Sequence, residues 1–238
     1  MCKNCDDYSL SRRNLMLGAG VALAAGALPL SASFAAAEEP VQNAISPDEA
    51  LERIMKGNER YAANTSQRRD FSAGRAARAS VQYPIAAILS CADSRVAPEL
   101  AFDQGPGDLF IVRVAGNFVD DSGLASLEYA VAVLNVPLLM VLGHSNCGAV
   151  DATIKVVKEH AELPGHLPIL TKAIGPAVVA AHARHPSDLL AAAIEENVKI
   201  NVKRMHDDKP ILSDALAAKK IAVVGGVYDL ATGKVNLI

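Results

Sequence analysis

Three short apolar runs constrain this chain more than any other feature: residues 85–90 (IAAILS), 109–114 (LFIVRV) and 138–142 (LLMVL). Each is short for a helix and apolar without alternation, the pattern of a strand buried on both faces. Between the second and third, Leu124, Leu127, Tyr129, Val131 and Leu134 recur at helical spacing and supply a crossover. Strand, helix, strand implies parallel pairing, because the chain must return to the starting edge of the sheet. Residues 221–230 (IAVVGGVYDL) and 234–238 (KVNLI), joined around Thr232-Gly233, read as a terminal hairpin. The expected fold is α/β: a mostly parallel central sheet of about four parallel strands plus a C-terminal antiparallel edge strand, flanked by helices.

The helices carry their own start signals. Ser46-Pro47-Asp48-Glu49 offers an N-cap, a proline at the first helical position and a glutamate three residues after the cap, so a helix is predicted to about Ala63. A second short helix is predicted over 75–81, stopped by Tyr83-Pro84. Helices are expected from Gly148 onward and through much of 166–206, with 188–205 forming one apolar stripe. With 51% hydrophobic residues, no internal repeat and no low-complexity linker, residues 38–238 are read as a single domain.

Residues 9–37 have a different character: Ser11-Arg12-Arg13-Asn14-Leu15, an apolar run to about Leu30, then small residues. This resembles a twin-arginine signal, which exports proteins already folded, with cleavage expected after Ala35 or Ala37. The apolar run is shorter than the ~20 residues a membrane span needs, so no stable anchor is expected. The mature protein is expected outside the cytoplasm, in the periplasm, after transient contact with the export machinery. Cys2 and Cys5 fall in the removed segment, leaving Cys91 and Cys147, too few for a disulfide framework. A formal charge of −3 and scattered basic residues exclude a nucleic-acid footprint.

Cys91-Ala92-Asp93-Ser94-Arg95 follows the first apolar run, and His144-Ser145-Asn146-Cys147-Gly148 follows the third. In a parallel sheet these two stretches converge on one edge, where α/β proteins build their sites. Two thiols and an imidazole form a soft ligand set suited to zinc, and three protein ligands leave a position open, as catalytic zinc requires. The bland alternative is two buried thiols beside a core histidine. Asp93 and Arg95 add a carboxylate and a guanidinium able to reach each other and the fourth position. The helix starting at Gly148 directs its positive end at Cys147 and favours the thiolate.

CADSR followed by HSNCG resembles the paired signatures of the β-class carbonic anhydrases. The likeness continues through Pro98, Gly107-Asp108, Phe110 to Arg113, Asn117 and Glu128-Tyr129, spanning Ser46 to Leu230. It implies one Zn2+ per subunit on Cys91, His144 and Cys147, with Asp93 either as fourth ligand or paired to Arg95 while water takes that place. It further implies reversible hydration of CO2 to bicarbonate by hydroxide generated on the metal, with Asp93 and Arg95 catalytic. Gln82, Gly148, Phe110 and Tyr129 would contact substrate, the two aromatics across a dimer interface; a homodimer or higher even oligomer is expected. Arg113 is not placed at the site. Where some members carry a tryptophan that helps build an inhibitory bicarbonate site, this chain has Ile88, so the Asp93–Arg95 pair is expected rather than the closed form. Two other readings compete: a CS2 or COS hydrolase on the same zinc, and a non-catalytic zinc or redox-sensing protein in which Cys91 and Cys147 join on metal loss.

Overall fold

The computed structural model describes residues 45–238 apart from Ala73; the twin-arginine stretch, its cleavage site and Cys2 and Cys5 lie outside the described residues. In chain order the elements are α1 (Pro47–Ala62), α2 (Arg75–Arg78), β1 (Ala86–Ser90), α3 (Pro98–Ala101), β2 (Leu109–Arg113), α4 (Asp121–Ala132), β3 (Leu138–His144), α5 (Gly148–Glu159), α6 (Pro168–His182), α7 (Leu189–Asp207), α8 (Ile211–Ala217), β4 (Ala222–Tyr228) and β5 (Val235–Leu237). The sheet runs β2-β1-β3-β4-β5, with four parallel strands and an antiparallel β5 at one edge.

The period of two along each strand sorts side chains between two cores. Ala87, Leu89, Leu139 and Val141 face α4, α7 and α8, while Ala86, Ile88, Leu138, Met140 and Leu142 face α1 and α3. Every residue of β1 and β3 is therefore buried. The reading of 109–114 as equally buried is corrected: residues 109–112 of β2 are only half-buried and Arg113 is exposed. The apolar run is real, but β2 is the outer strand, so one of its flanks has no neighbour among the described residues.

Two boundaries also differ. The helix predicted over 75–81 closes after Arg78. β3 continues to His144, which pairs with Tyr228 as the last register position. The histidine is therefore part of the strand and not just beyond it.

At the start of α1 the expected capping box forms: Glu49 N–H donates to Ser46 Oγ at 3.2 Å, and Ser46 N–H donates to Glu49 Oε2 at 2.7 Å. Asn58, buried on the same helix, donates to the carbonyls of Ala101 (2.9 Å) and Gly233 (2.8 Å) and accepts from Val235 N–H at 2.8 Å. One amide thus joins α1 to α3 and to the β5 edge. Among the described residues no helix is long and apolar enough to cross a membrane.

Candidate metal centre

β1 ends at Ser90 and β3 at His144, neighbouring strands pointing the same way, so Cys91 and His144 emerge at one edge. Cys147 arrives on the short turn after β3, as the N-cap of α5. One ligand atom from each of Cys91, His144 and Cys147 lies within 4.8 Å of the others, and all three residues are buried. The turn is fixed from β4: Ser145 N–H donates to Tyr228 O at 2.9 Å, and Leu230 N–H donates to Ser145 Oγ at 2.9 Å.

The donor set fits a metal ion. His144 Nδ1 is engaged with Ser145 O at 2.9 Å, whereas Nε2 is buried without a hydrogen-bond partner among the described residues. An orphaned buried nitrogen is costly, and one placed beside two sulfurs is a ligand atom waiting for a cation. The thiols behave accordingly. The hydrogen bond from Cys147 leads the influences that push the Cys91 thiol down to about 4, against its burial. The same bond, with burial and the Cys91 charge, pushes Cys147 up, although backbone N–H groups of Ala149 and Val150 at the start of α5 act in the thiolate's favour. Two sulfurs this close share one proton until a dication replaces it. For His144, burial opposes the charged ring most strongly, but the neighbouring Cys91 sulfur carries the balance upward.

Asp93 turns toward Arg95. Arg95 Nε donates to Asp93 Oδ1 at 2.9 Å and its second terminal nitrogen donates to Oδ2 at 2.7 Å, while the Arg95 N–H also reaches Oδ1 at 2.9 Å. The side-chain hydrogen bond from Arg95 holds the carboxyl well below the usual carboxylate range, outweighing its partial desolvation. Asp93 Oδ2 is 3.8 Å from His144 Nε2, so the carboxylate borders the cluster with both oxygens engaged by arginine. Arg95 also reaches Asn146 O at 3.4 Å, tying the first motif to the second.

Arg113, which the sequence left outside the site, clamps the loop that carries Asp93. Its guanidinium donates to the carbonyls of Cys91 (3.1 Å), Asp93 (2.7 Å) and Val96 (2.9 Å). The signal was available in the parallel pairing, since Arg113 lies opposite Ser90, immediately before Cys91.

The remaining named residues divide. Gly148 opens α5 beside Cys147, and a side chain there would meet nothing within 4 Å, so the space above it is open. Gln82 is exposed and precedes β1, at the opposite end from Cys91; the five-residue strand alone separates them by roughly 17 Å. Phe110 and Tyr129 do meet, with ring centroids 6.3 Å apart, but on the outer β2/α4 face. Tyr129 is 47% exposed there.

Comparison with known proteins gives a consistent result. The family described as carbonic anhydrase matches residues 86–235. "Carbonic anhydrase 2" of Mycobacterium tuberculosis is 38% identical over 195 residues, covering 80% of this chain and 92% of that one. A carbonic anhydrase of Pseudomonas aeruginosa is 34% identical over 168 residues, covering 67% and 76%. Among solved structures, the Coccomyxa β-carbonic anhydrase in complex with acetazolamide is 29% identical, with a TM-score of 0.63, covering 80% of this chain and 85% of that one.

Proposed function

Because the chain belongs to the β-class carbonic anhydrases, we propose that it catalyses the reversible hydration of CO2 to bicarbonate and a proton with zinc held by Cys91, His144 and Cys147. The observation that carries this reading is the buried, orphaned His144 Nε2 facing two thiols beside an arginine-paired carboxylate. Zinc bound there supplies a Lewis acid that brings the pKa of water down to about 7. Asp93, kept ionised by Arg95, accepts a hydrogen bond from the attacking oxygen and turns its lone pair toward CO2. Arg113 holds the loop backbone so that Asp93 stays in that position. On this reading the Gly148 N–H, beside the open space at the start of α5, donates to a developing negative oxygen, while those of Ala149 and Val150 serve the Cys147 sulfur. Zinc analysis with a stopped-flow CO2 assay tests this: one zinc per chain with rapid hydration is the expected result, and a metal-free or inert wild type would overturn it.

The substrate pocket needs a second copy of the chain. Gln82, Phe110 and Tyr129 sit away from the subunit's own cluster, and β2 offers an edge unpaired among the described residues beside half-exposed Tyr129 and Val133. A homodimer or higher even oligomer that brings those residues over the partner's zinc accounts for both facts. Export in the folded state to the periplasm is supported by Arg12-Arg13 and the apolar run that follows. Replacing both arginines by lysine and fractionating the cells tests it, retention in the cytoplasm being expected.

A further inference from the structure

α7 carries two asparagines on its buried face, Asn197 at 1% and Asn201 at 4% exposure. Buried amides cost stability unless paired. Both are paired, and their partners lie on the segment that passes the metal cluster. Asn197 Nδ2 donates to Gly116 O at 2.8 Å, and Val119 N–H donates to Asn201 Oδ1 at 2.8 Å. Asn201 Nδ2 in turn donates to Asn197 O at 2.8 Å and lies 3.3 Å from Asn197 Oδ1, which orients the first amide.

The segment so held is unusual. Gly116 has φ +85° and Asn117 φ +41°, two successive residues in the left-handed region. At Gly116 a side chain has no room, since a Cβ would stand 2.4 Å from Ile174 Cδ1. This backbone delivers one polar contact to the site: Gly116 N–H donates to Cys91 Sγ at 3.2 Å.

We infer that Asn197 is a positioning residue for the metal centre, fixing the Gly116 backbone so that its N–H is aimed at the Cys91 sulfur and thereby setting how strongly that thiolate binds zinc. A hydrogen bond to a ligating sulfur draws electron density from it and holds it in its ligating position, so its loss leaves a more electron-rich but less well-placed donor. The partners behind metal ligands govern metal retention as well as geometry. The inference rests on metal being held at Cys91, His144 and Cys147.

The test uses the full chain loaded with Co2+, whose sulfur-to-metal absorption band reports the donor strength of the thiolates, alongside zinc competition with a chelator. Asn197→Ala and Asn197→Asp, which remove the donor to Gly116 O, are expected to move the band to longer wavelength and to weaken zinc retention about 10-fold or more. Val198→Ala, on the same helix and fully buried, is the control for lost packing: it should lower Tm and leave the band in place. Should Asn197→Ala fail to fold, Asn197→Asp, which keeps the volume and an acceptor for Asn201, decides. Asn197 variants with a wild-type band and wild-type zinc retention would overturn the inference, as would an equal shift in Val198→Ala. A wild type that takes up no metal would overturn the zinc reading itself.

Discussion

The inner and outer ends of the sheet differ in where their contacts come from. At the β1/β3 edge, each group at the cluster is held by its own subunit: Asp93 by Arg95, the first motif loop by Arg113, the second by β4, and Cys91 Sγ by Gly116. On the β2/α4 face, Phe110 packs inward on the core and against Tyr129, while Tyr129 and Val133 are left about half exposed. The contrast separates the proposed metal site, whose ligands all come from one chain, from the proposed substrate pocket, which on this reading draws on a second.

The strongest test removes the inner end. Cys147→Ser, or exhaustive chelation of wild type, should abolish hydration and zinc content together. The oligomer should persist in gel filtration, because the outer face is untouched; collapse to monomers would break the comparison. Asp93→Ala should keep zinc and lower kcat about 10²- to 10⁴-fold, the usual range for removing a positioned proton acceptor. Tyr129→Lys attacks the other end: zinc stoichiometry should be unchanged, while subunit association weakens about 30-fold, corresponding to about 2 kcal/mol for an interface anchor. Analytical ultracentrifugation reads this, and unaltered association with reduced zinc would reverse the assignment. The smallest functional effect is expected at Asn58→Ala, whose partners Ala101, Gly233 and Val235 belong neither to the cluster nor to the β2/α4 face. Leaving its backbone partners unsatisfied should cost about 1–3 kcal/mol of stability in denaturant melts, with near-normal turnover below the transition.

What the sequence revealed follows the same division. Cys91, His144 and Cys147 were legible because sulfur and imidazole are rare in apolar surroundings and the strand ends placed them together. The capping box of α1 and the hairpin were legible because each depends on neighbours within a few residues, and the parallel pairing because a helix between two strands returns the chain to the same edge. Arg113 was missed because a basic residue closing an apolar strand looks like a solvated end, and its three carbonyl partners appear only once β1 lies alongside. Asn197 and Asn201 were missed for a related reason: polar residues on a helix read as its wet face, and only the segment 116–119 packed against them makes them interior. The half-buried state of β2 could not be read at all, because an apolar run has the same composition whether its second cover is a helix of its own chain or another molecule.

His144, as the final register pair of β3 with Tyr228, is held inside the sheet ladder itself, whereas Cys91 and Cys147 stand on the turns beside it. An ion of larger radius, such as cadmium, would therefore have to displace the two sulfur-bearing turns against the hydrogen bonds that Arg113 and Ser145 make there, which favours ions near zinc in size.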